Sequence, residues 1–124
     1  MNEPETRRSF QEQIQEIRAE VVKLAVKTGE QIGAATQALL DADLDLVDEI
    51  FAARRAIETD GRTLEQRVYQ LFALQQPMAS DLRAMLAVLR IVHEIELTAG
   101  LMRNVARATR RLRSEEHTAE LQSH

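Results

Sequence analysis

Leu74-Gln75-Gln76-Pro77-Met78-Ala79-Ser80-Asp81-Leu82-Arg83 joins two long amphipathic runs through one proline and almost no loop. Proline has no N–H to donate and its ring blocks continuation of a preceding helix, yet it sits well in a first turn. The residue before it is pushed out of the helical region. One helix is therefore expected to end near Gln75 or Gln76 and the next to begin at Pro77. A connection this short folds the two helices back against each other. Asp81 and Arg83 then stand in the first turns of the new helix, where the Asp81 carboxylate suits the positive end of the helix dipole.

Apolar spacing extends this hairpin in both directions. Upstream, Ile50, Ala53, Ile57, Leu64, Val68 and Leu71 recur every three or four residues and predict a helix over 44–75. Asp60 and Gly61 interrupt that seam. A carboxylate on a core face is unfavourable unless paired, and glycine weakens a helix by about 1 kcal/mol relative to alanine. The spacing predicts a kink there, or an Asp60 turned to solvent. Earlier still, Phe10, Ile14, Ile17, Val21, Leu24 and Thr28, resumed by Ala35 and Leu39, predict a helix over 7–40, with Gly29 and Gly33 as small residues suited to close helix approach. The aspartates Asp41, Asp43, Asp45 and Asp48 mark the turn between them, Asp43 or Asp45 being the N-cap. They lack the glycine and closing glutamate of a calcium loop. Downstream, Met78, Leu82, Met85, Leu89, Val92, Ala99 and Met102 share a face of a third helix over 77–112, and Glu96 falls on that face. Arg103, Arg107, Arg110 and Arg111 load its far end with cations, as the dipole favours.

Three long helices with short connections imply an all-α, up-down-up, left-handed three-helix bundle in one domain, residues 1–112. Scarce aromatics (three Phe, one Tyr, no Trp) fit a helical composition. With no cysteine, disulfides and thiolate metal sites are excluded. The polar N-terminus shows no secretory h-region and no apolar run approaches a membrane span. These features point to a cytoplasmic chain without direct membrane insertion. A net charge of −4 argues against nucleic acid. Leu40, Leu86 and Ile91 fall off the core stripes and are the expected exposed apolar residues.

Residues 113–124 break the pattern. The string Arg113-Ser114-Glu115-Glu116-His117-Thr118-Ala119-Glu120-Leu121-Gln122-Ser123-His124 resembles a translated short-read sequencing adapter, differing at Ala119. It is expected to be a non-native tail, the other reading being a genuine polar C-terminus. His117 and His124 are not taken as metal ligands. Without its one Arg and three Glu the net charge falls from −4 to −2.

The wording around the proline, Phe72-Ala73-Leu74-Gln75-Gln76-Pro77-Met78-Ala79-Ser80-Asp81-Leu82-Arg83, resembles the PhoU family pattern Leu-Ala-x-Gln-Gln-Pro-Val-Ala-x-Asp-Leu-Arg. Arg7-Arg8-Ser9-Phe10, the stretch from Gly29 to Leu39, Leu89-Arg90-Ile91-Val92-His93-Glu94-Ile95-Glu96 and Asn104-Val105-Ala106 extend the likeness over Arg7 to Leu112. The resemblance implies one copy of a three-helix unit that family members carry twice. It also implies a non-enzymatic accessory regulator of bacterial phosphate uptake, homo-oligomeric in full-length form. Such a regulator bridges the ATPase of the phosphate ABC transporter and a membrane sensor histidine kinase, restraining uptake and the starvation response. Asp81, Arg83 and Asn104 are the partner-binding candidates. Met1 directly before the opening helix favours a free-standing protein, the alternative being a regulatory domain of a sodium–phosphate transporter.

Family members also bind metal through carboxylates four residues apart on helices two and three. Positions i and i+4 share a helix face, so two acids converge on one hard cation. Here the matching positions read Arg54 with Glu58, and Glu96 with Gly100. Each pair has lost an acid, and Arg54 brings a repelling charge. No cofactor is expected. Iron, zinc or magnesium at Glu58 and Glu96 would make the chain a carboxylate-bridged metal-binding bundle instead, whereas salt-bridging acids are the plain reading. His93 and Glu94 are adjacent and face different ways, which favours a solvated His93. No nucleophile–base set, phosphate-cradling loop or stacking aromatic cluster is present.

Overall fold

The structure, a computed structural model, describes residues 3–74 and 77–122. Three α-helices account for nearly all of them: α1 (Glu3–Asp41), α2 (Leu44–Leu74) and α3 (Ala79–Gln122). Each helix packs on both others. The contacts fix their directions. Glu16 reaches Arg67 and Lys27 reaches Asp60, so α1 and α2 run antiparallel. Asp48 pairs with Arg110, and Gly61 lies against Glu96, so α2 and α3 are antiparallel too. Gln11 Nε2 donates to Asp81 Oδ1 at 3.1 Å, setting the start of α3 beside the start of α1. The up-down-up bundle expected from the sequence is the fold.

The core divides in two. The larger cluster runs from Phe10, Ile14, Ile17, Val21 and Leu24 of α1 to Ile57, Leu64, Val68 and Leu71 of α2 and Met85, Val88, Val92, Ile95 and Ala99 of α3. The smaller surrounds the α1–α2 turn and is built around Ala35, Ala38, Val47, Ile50 and Ala106. Alanine permits close helix approach there. Two buried hydroxyls break the apolar stripes without leaving a polar group unpaired. Thr28 Oγ1 donates to the Leu24 carbonyl at 2.8 Å, and Thr109 Oγ1 to that of Val105 at 2.9 Å.

Several positions differ from the spacing argument. On α1 the three–four alternation continues through residues 28, 31, 35 and 38, so Ala38 is buried and Leu39 is exposed. On α3 the buried set is Met85, Val88, Val92, Ile95, Ala99, Ala106 and Thr109. Leu89 and Met102 are half-buried, and Met78 and Leu82 are exposed. The helix is rotated from the expected face because Val88 and Ile95 compete for the interior with Glu96. Burying a carboxylate is the worse choice, so Glu96 sits at the edge of the seam. Leu40, Leu86 and Ile91 are exposed, as expected.

The α1–α2 turn is capped at both ends. Ala42 adopts a left-handed backbone (φ 51°), and the Asp43 N–H donates to the Ala38 carbonyl at 3.1 Å, closing α1 in a Schellman arrangement. Asp43 Oδ1 accepts the Leu46 N–H at 3.1 Å and so serves as the N-cap of α2. At the second connection α2 ends at Leu74, while Gln75 and Gln76, the expected end of that helix, lie outside the described residues. Pro77 is not helical; α3 starts at Ala79 rather than at the proline, and the Met78 carbonyl accepts the Leu82 N–H at 2.9 Å. Met78 is the N-cap and Pro77 precedes it, where a missing N–H removes no helical bond.

α2 shows no interruption at Asp60 and Gly61: Asp60 is exposed and pairs with Lys27 Nζ at 3.7 Å. α3 passes the expected end at Leu112 and continues to Gln122, with residues 110–122 exposed. Glu115, Glu116, Ala119, Glu120 and Leu121 are good helix formers with no Gly or Pro among them, so the ladder continues.

Candidate functional site: the charged α2–α3 seam

Arg54 stands on α2 between the core residues Ile50 and Ile57, and Arg103 on α3 between Ala99 and Ala106. Both fall where one core cluster gives way to the other, and they bracket the acids Glu58 and Glu96. Glu58 is half-buried and enclosed by guanidinium groups. Arg54 Nη1 lies 3.4 Å from its Oε2, and Arg62 Nη2 donates to its Oε1. Arg62 and Arg54 are the i±4 neighbours that a helix places on one face. The Arg62 hydrogen bond, then the Arg54 charge, hold the Glu58 carboxyl below the usual glutamate range against partial desolvation, and Arg103 adds to the effect.

Glu96 has the opposite environment. Its Oε1 is buried and has no hydrogen-bond partner among the described residues. The oxygen fits only because residue 61 is glycine: a Cβ there would lie 2.7 Å from Glu96 Oε1 and 3.3 Å from Val92 Cγ1. Removal from water pushes the Glu96 carboxyl up, and the negative charges of Glu65 and Glu58 push it further. His93 and Arg62 oppose them. Glu58 and Glu96 therefore stand close enough across the helix pair to feel each other, one neutralised and one not. Arg103 Nε is likewise buried without a partner, while its Nη2 donates to Asn104 Oδ1 at 3.5 Å.

These shifts carry opposite signs in pH. Glu96 has a raised folded value, so the folded chain retains a proton that the unfolded chain has lost. Stability falls as pH rises from the unfolded value, about 4.3, through the raised folded one, and the deficit is complete above it. Glu58 has a lowered folded value. Its contribution is present above the unfolded value and fades as pH falls through the folded one. Glu96→Gln is expected to remove the first effect alone. Its advantage over the parent chain in urea midpoint should widen from about pH 4 to about pH 7. A constant difference over that range contradicts this.

The seam does not fit a metal ion. A hard cation needs several oxygen ligands. No three His, Asp or Glu side chains converge among the described residues, and Glu58 is already committed to two arginines. Gly100, where an acid would complete the Glu96 pair, has open space around it. His93 and Glu94 are exposed.

The three partner-binding candidates are not brought together. Asp81 is held by Gln11, with hydrogen bonds at 3.1 and 3.2 Å. Arg83 is exposed on the first turns of α3. Asn104 lies toward the other end, lining an open depression with Arg107, Arg110 and Arg111. There Arg110 donates to Asp48 Oδ1 at 2.8 Å and lies over the Phe51 ring at 4.9 Å. Spacing alone missed Gly61 and Arg103. Gly61 continues the Ile57–Leu64–Val68 alternation, and a glycine in a seam facing a carboxylate on the next helix is the signal that could have found it.

Comparison with known proteins gives a consistent result. The PhoU domain matches residues 21–109. A Mycobacterium tuberculosis protein named phosphate-specific transport system accessory protein PhoU homolog 2 is 33% identical over 105 residues, covering 85% of this chain and 49% of its own. The Mycobacterium leprae PhoU homolog 1 is also 33% identical over 105 residues, 85% of this chain and 47% of its own. A Clostridium acetobutylicum PhoU homolog is 28% identical over 113 residues, 90% and 52% of the two chains. The chain thus spans about half the length of the curated relatives it matches. No solved structure matches. A domain match across most of the bundle, carried by relatives of the same name, places this chain in the PhoU family.

Proposed function

We propose that the chain is a non-enzymatic regulator of phosphate uptake, acting through helix-face contacts with the ATPase of a phosphate ABC transporter and with a membrane sensor histidine kinase. In this reading it restrains both uptake and the phosphate-starvation response, works in the cytoplasm, and self-associates in its full-length form. The observation that carries it is the PhoU domain match over residues 21–109. The printed names of the relatives supply the phosphate-transport setting. No helix is long and apolar enough to cross a membrane among the described residues, so contact with a transporter would run through exposed helix surfaces.

The exposed start of α3 is the first surface to test. Arg83→Glu reverses a charge on a residue outside the core, leaving Gln11–Asp81 to hold the end of the bundle. It is expected to weaken capture of the transporter ATPase at least about tenfold, the scale of a charge pair lost at an interface, while the helical circular dichroism signal stays unchanged. Undiminished capture contradicts the assignment. The proposal includes no resident metal: Arg54 and Arg62 supply the positive charge that Glu58 meets. Two or more iron or zinc ions held tightly by each purified chain would overturn that part.

A further inference from the structure

We propose that the second half of α3 carries a binding site for a chain of linked phosphoryl groups, lined by Asn104, Arg107, Arg110 and Arg111. This site goes beyond the regulatory reading and does not rest on it, so either can fail alone.

The chain as a whole is acidic, with a net charge of −4, yet residues 97–114 hold five arginines and no Asp or Glu. Asn104, Arg107, Arg110 and Arg111 line one open depression. Arg107 and Arg111 are one turn apart on one face, with Cβ atoms about 6 Å from each other, and Asn104 precedes Arg107 by three residues on that face. Both arginines are exposed, and neither makes an ion pair or a hydrogen bond among the described residues. Glu115, four residues past Arg111, does not pair with it. Their charge is therefore uncompensated within the bundle.

Neighbouring contacts orient the other two donors. Arg110 Nη2 donates to Asp48 Oδ1 at 2.8 Å and its guanidinium lies over the Phe51 ring at 4.9 Å, so it forms a fixed wall toward α2. Asn104 Oδ1 accepts from Arg103 Nη2 at 3.5 Å, which leaves the Asn104 amide N–H groups to donate outward. Gly100, one turn before Asn104, has open space around it and brings no carboxylate. Asp48 is the one acid in contact with the four lining residues among the described residues. The number of donors and their exposure select the anion. One guanidinium fork takes up both oxygens of a carboxylate, whereas a phosphoryl group offers further oxygens to further forks. In open solvent one ion pair contributes only about 0–1 kcal/mol, so a single orthophosphate is held weakly. Linked phosphoryl groups add such contacts along one ligand, and the row from Asn104 to Arg111 is about 10 Å long. Carboxylates on one face of an extended acidic peptide recur only about every 7 Å, too sparsely to engage every donor of the row.

The test is calorimetric titration of the full chain with sodium tripolyphosphate in metal-free, low-salt buffer. Binding is expected, weakening as salt is added, with orthophosphate at least about tenfold weaker. ATP carries the same three linked groups: tighter binding of ATP identifies a nucleotide as the source, and equal or weaker binding an inorganic chain. Arg107→Gln combined with Arg111→Gln is expected to weaken tripolyphosphate binding at least about tenfold. Arg18→Gln combined with Arg90→Gln removes the same charge from exposed positions elsewhere and should change it less than about twofold. Gly100→Asp sets a repelling carboxylate one turn from Asn104 and should weaken binding as well. All these positions lie outside the core, so the helical circular dichroism signal should stay unchanged. Failure of tripolyphosphate to bind overturns the proposal. So does equal weakening by the two arginine pairs, or a hexaglutamate peptide that binds as tightly, which would reassign the row to an acidic protein partner.

Discussion

Ile57→Ala is expected to lower the stability of the bundle by about 2–5 kcal/mol, a large fraction of the roughly 5–15 kcal/mol that holds a domain of this size together. Ile57 is 1% exposed and belongs to the larger core cluster. Truncation removes its transfer free energy and leaves a cavity among side chains fixed by three rigid helices, so little collapse can offset the loss. Leu40→Ala changes a residue of similar size that is 76% exposed, and is expected to stay within about 0.5 kcal/mol. Urea denaturation separates the cases. The Ile57→Ala midpoint should fall well below that of the parent at unchanged slope, because the surface exposed on unfolding hardly differs. Equal midpoints for the two variants would show that α2 does not pack as described.

The second large effect concerns Gly61, where two substitutions should diverge. Gly61→Leu forces a branched side chain against Val92 Cγ1, which already lies 3.3 Å from the first added carbon. Overpacking of this kind is expected to destabilise by about 1–3 kcal/mol. Gly61→Ala adds only that carbon. Helix propensity improves by about 1 kcal/mol, Val92 must yield by a few tenths of an ångström, and the nearest obstacle is the mobile end of Glu96. Displacing a carboxylate whose oxygen is buried and unpaired relieves a penalty rather than creating one. Gly61→Ala is therefore expected to be neutral or mildly stabilising. It should also reduce the pH dependence assigned to Glu96, because the displaced carboxylate regains water. Strong destabilisation by alanine would mean that the helices cannot adjust and that Glu96 is held where it is.

The sequence disclosed the architecture through its punctuation. Pro77 separates α2 from α3, Asp43 caps α2, and the stripe from Phe10 to Thr28 is the buried face of α1. Legibility failed where two residues competed for one place. Val88 and Ile95 took the interior of α3, so the helix turned and Glu96 went to the margin, a result set by α2 as much as by α3. Arg103 reads as one more cation near a helix end, yet its Nε is buried. The wording around Pro77 carried the family likeness, but Asp81 lies in the first turn of α3 and Asn104 past its midpoint, so they share no surface. Gly29 and Gly33 suited close approach inside the bundle by size, but they lie off the inward 28–31–35–38 stripe and face outward.

The last turns of α3 extend past both companions into solvent. A lone helix holds its amide protons only through its own hydrogen-bond ladder, and such a ladder unzips from the free end without exposing any core. Beyond Leu112, past the last anchor that Arg110 makes to Asp48 and Phe51, the backbone should exchange with deuterium almost as readily as a short peptide, and trypsin should trim it at Arg113 while the rest of the molecule resists.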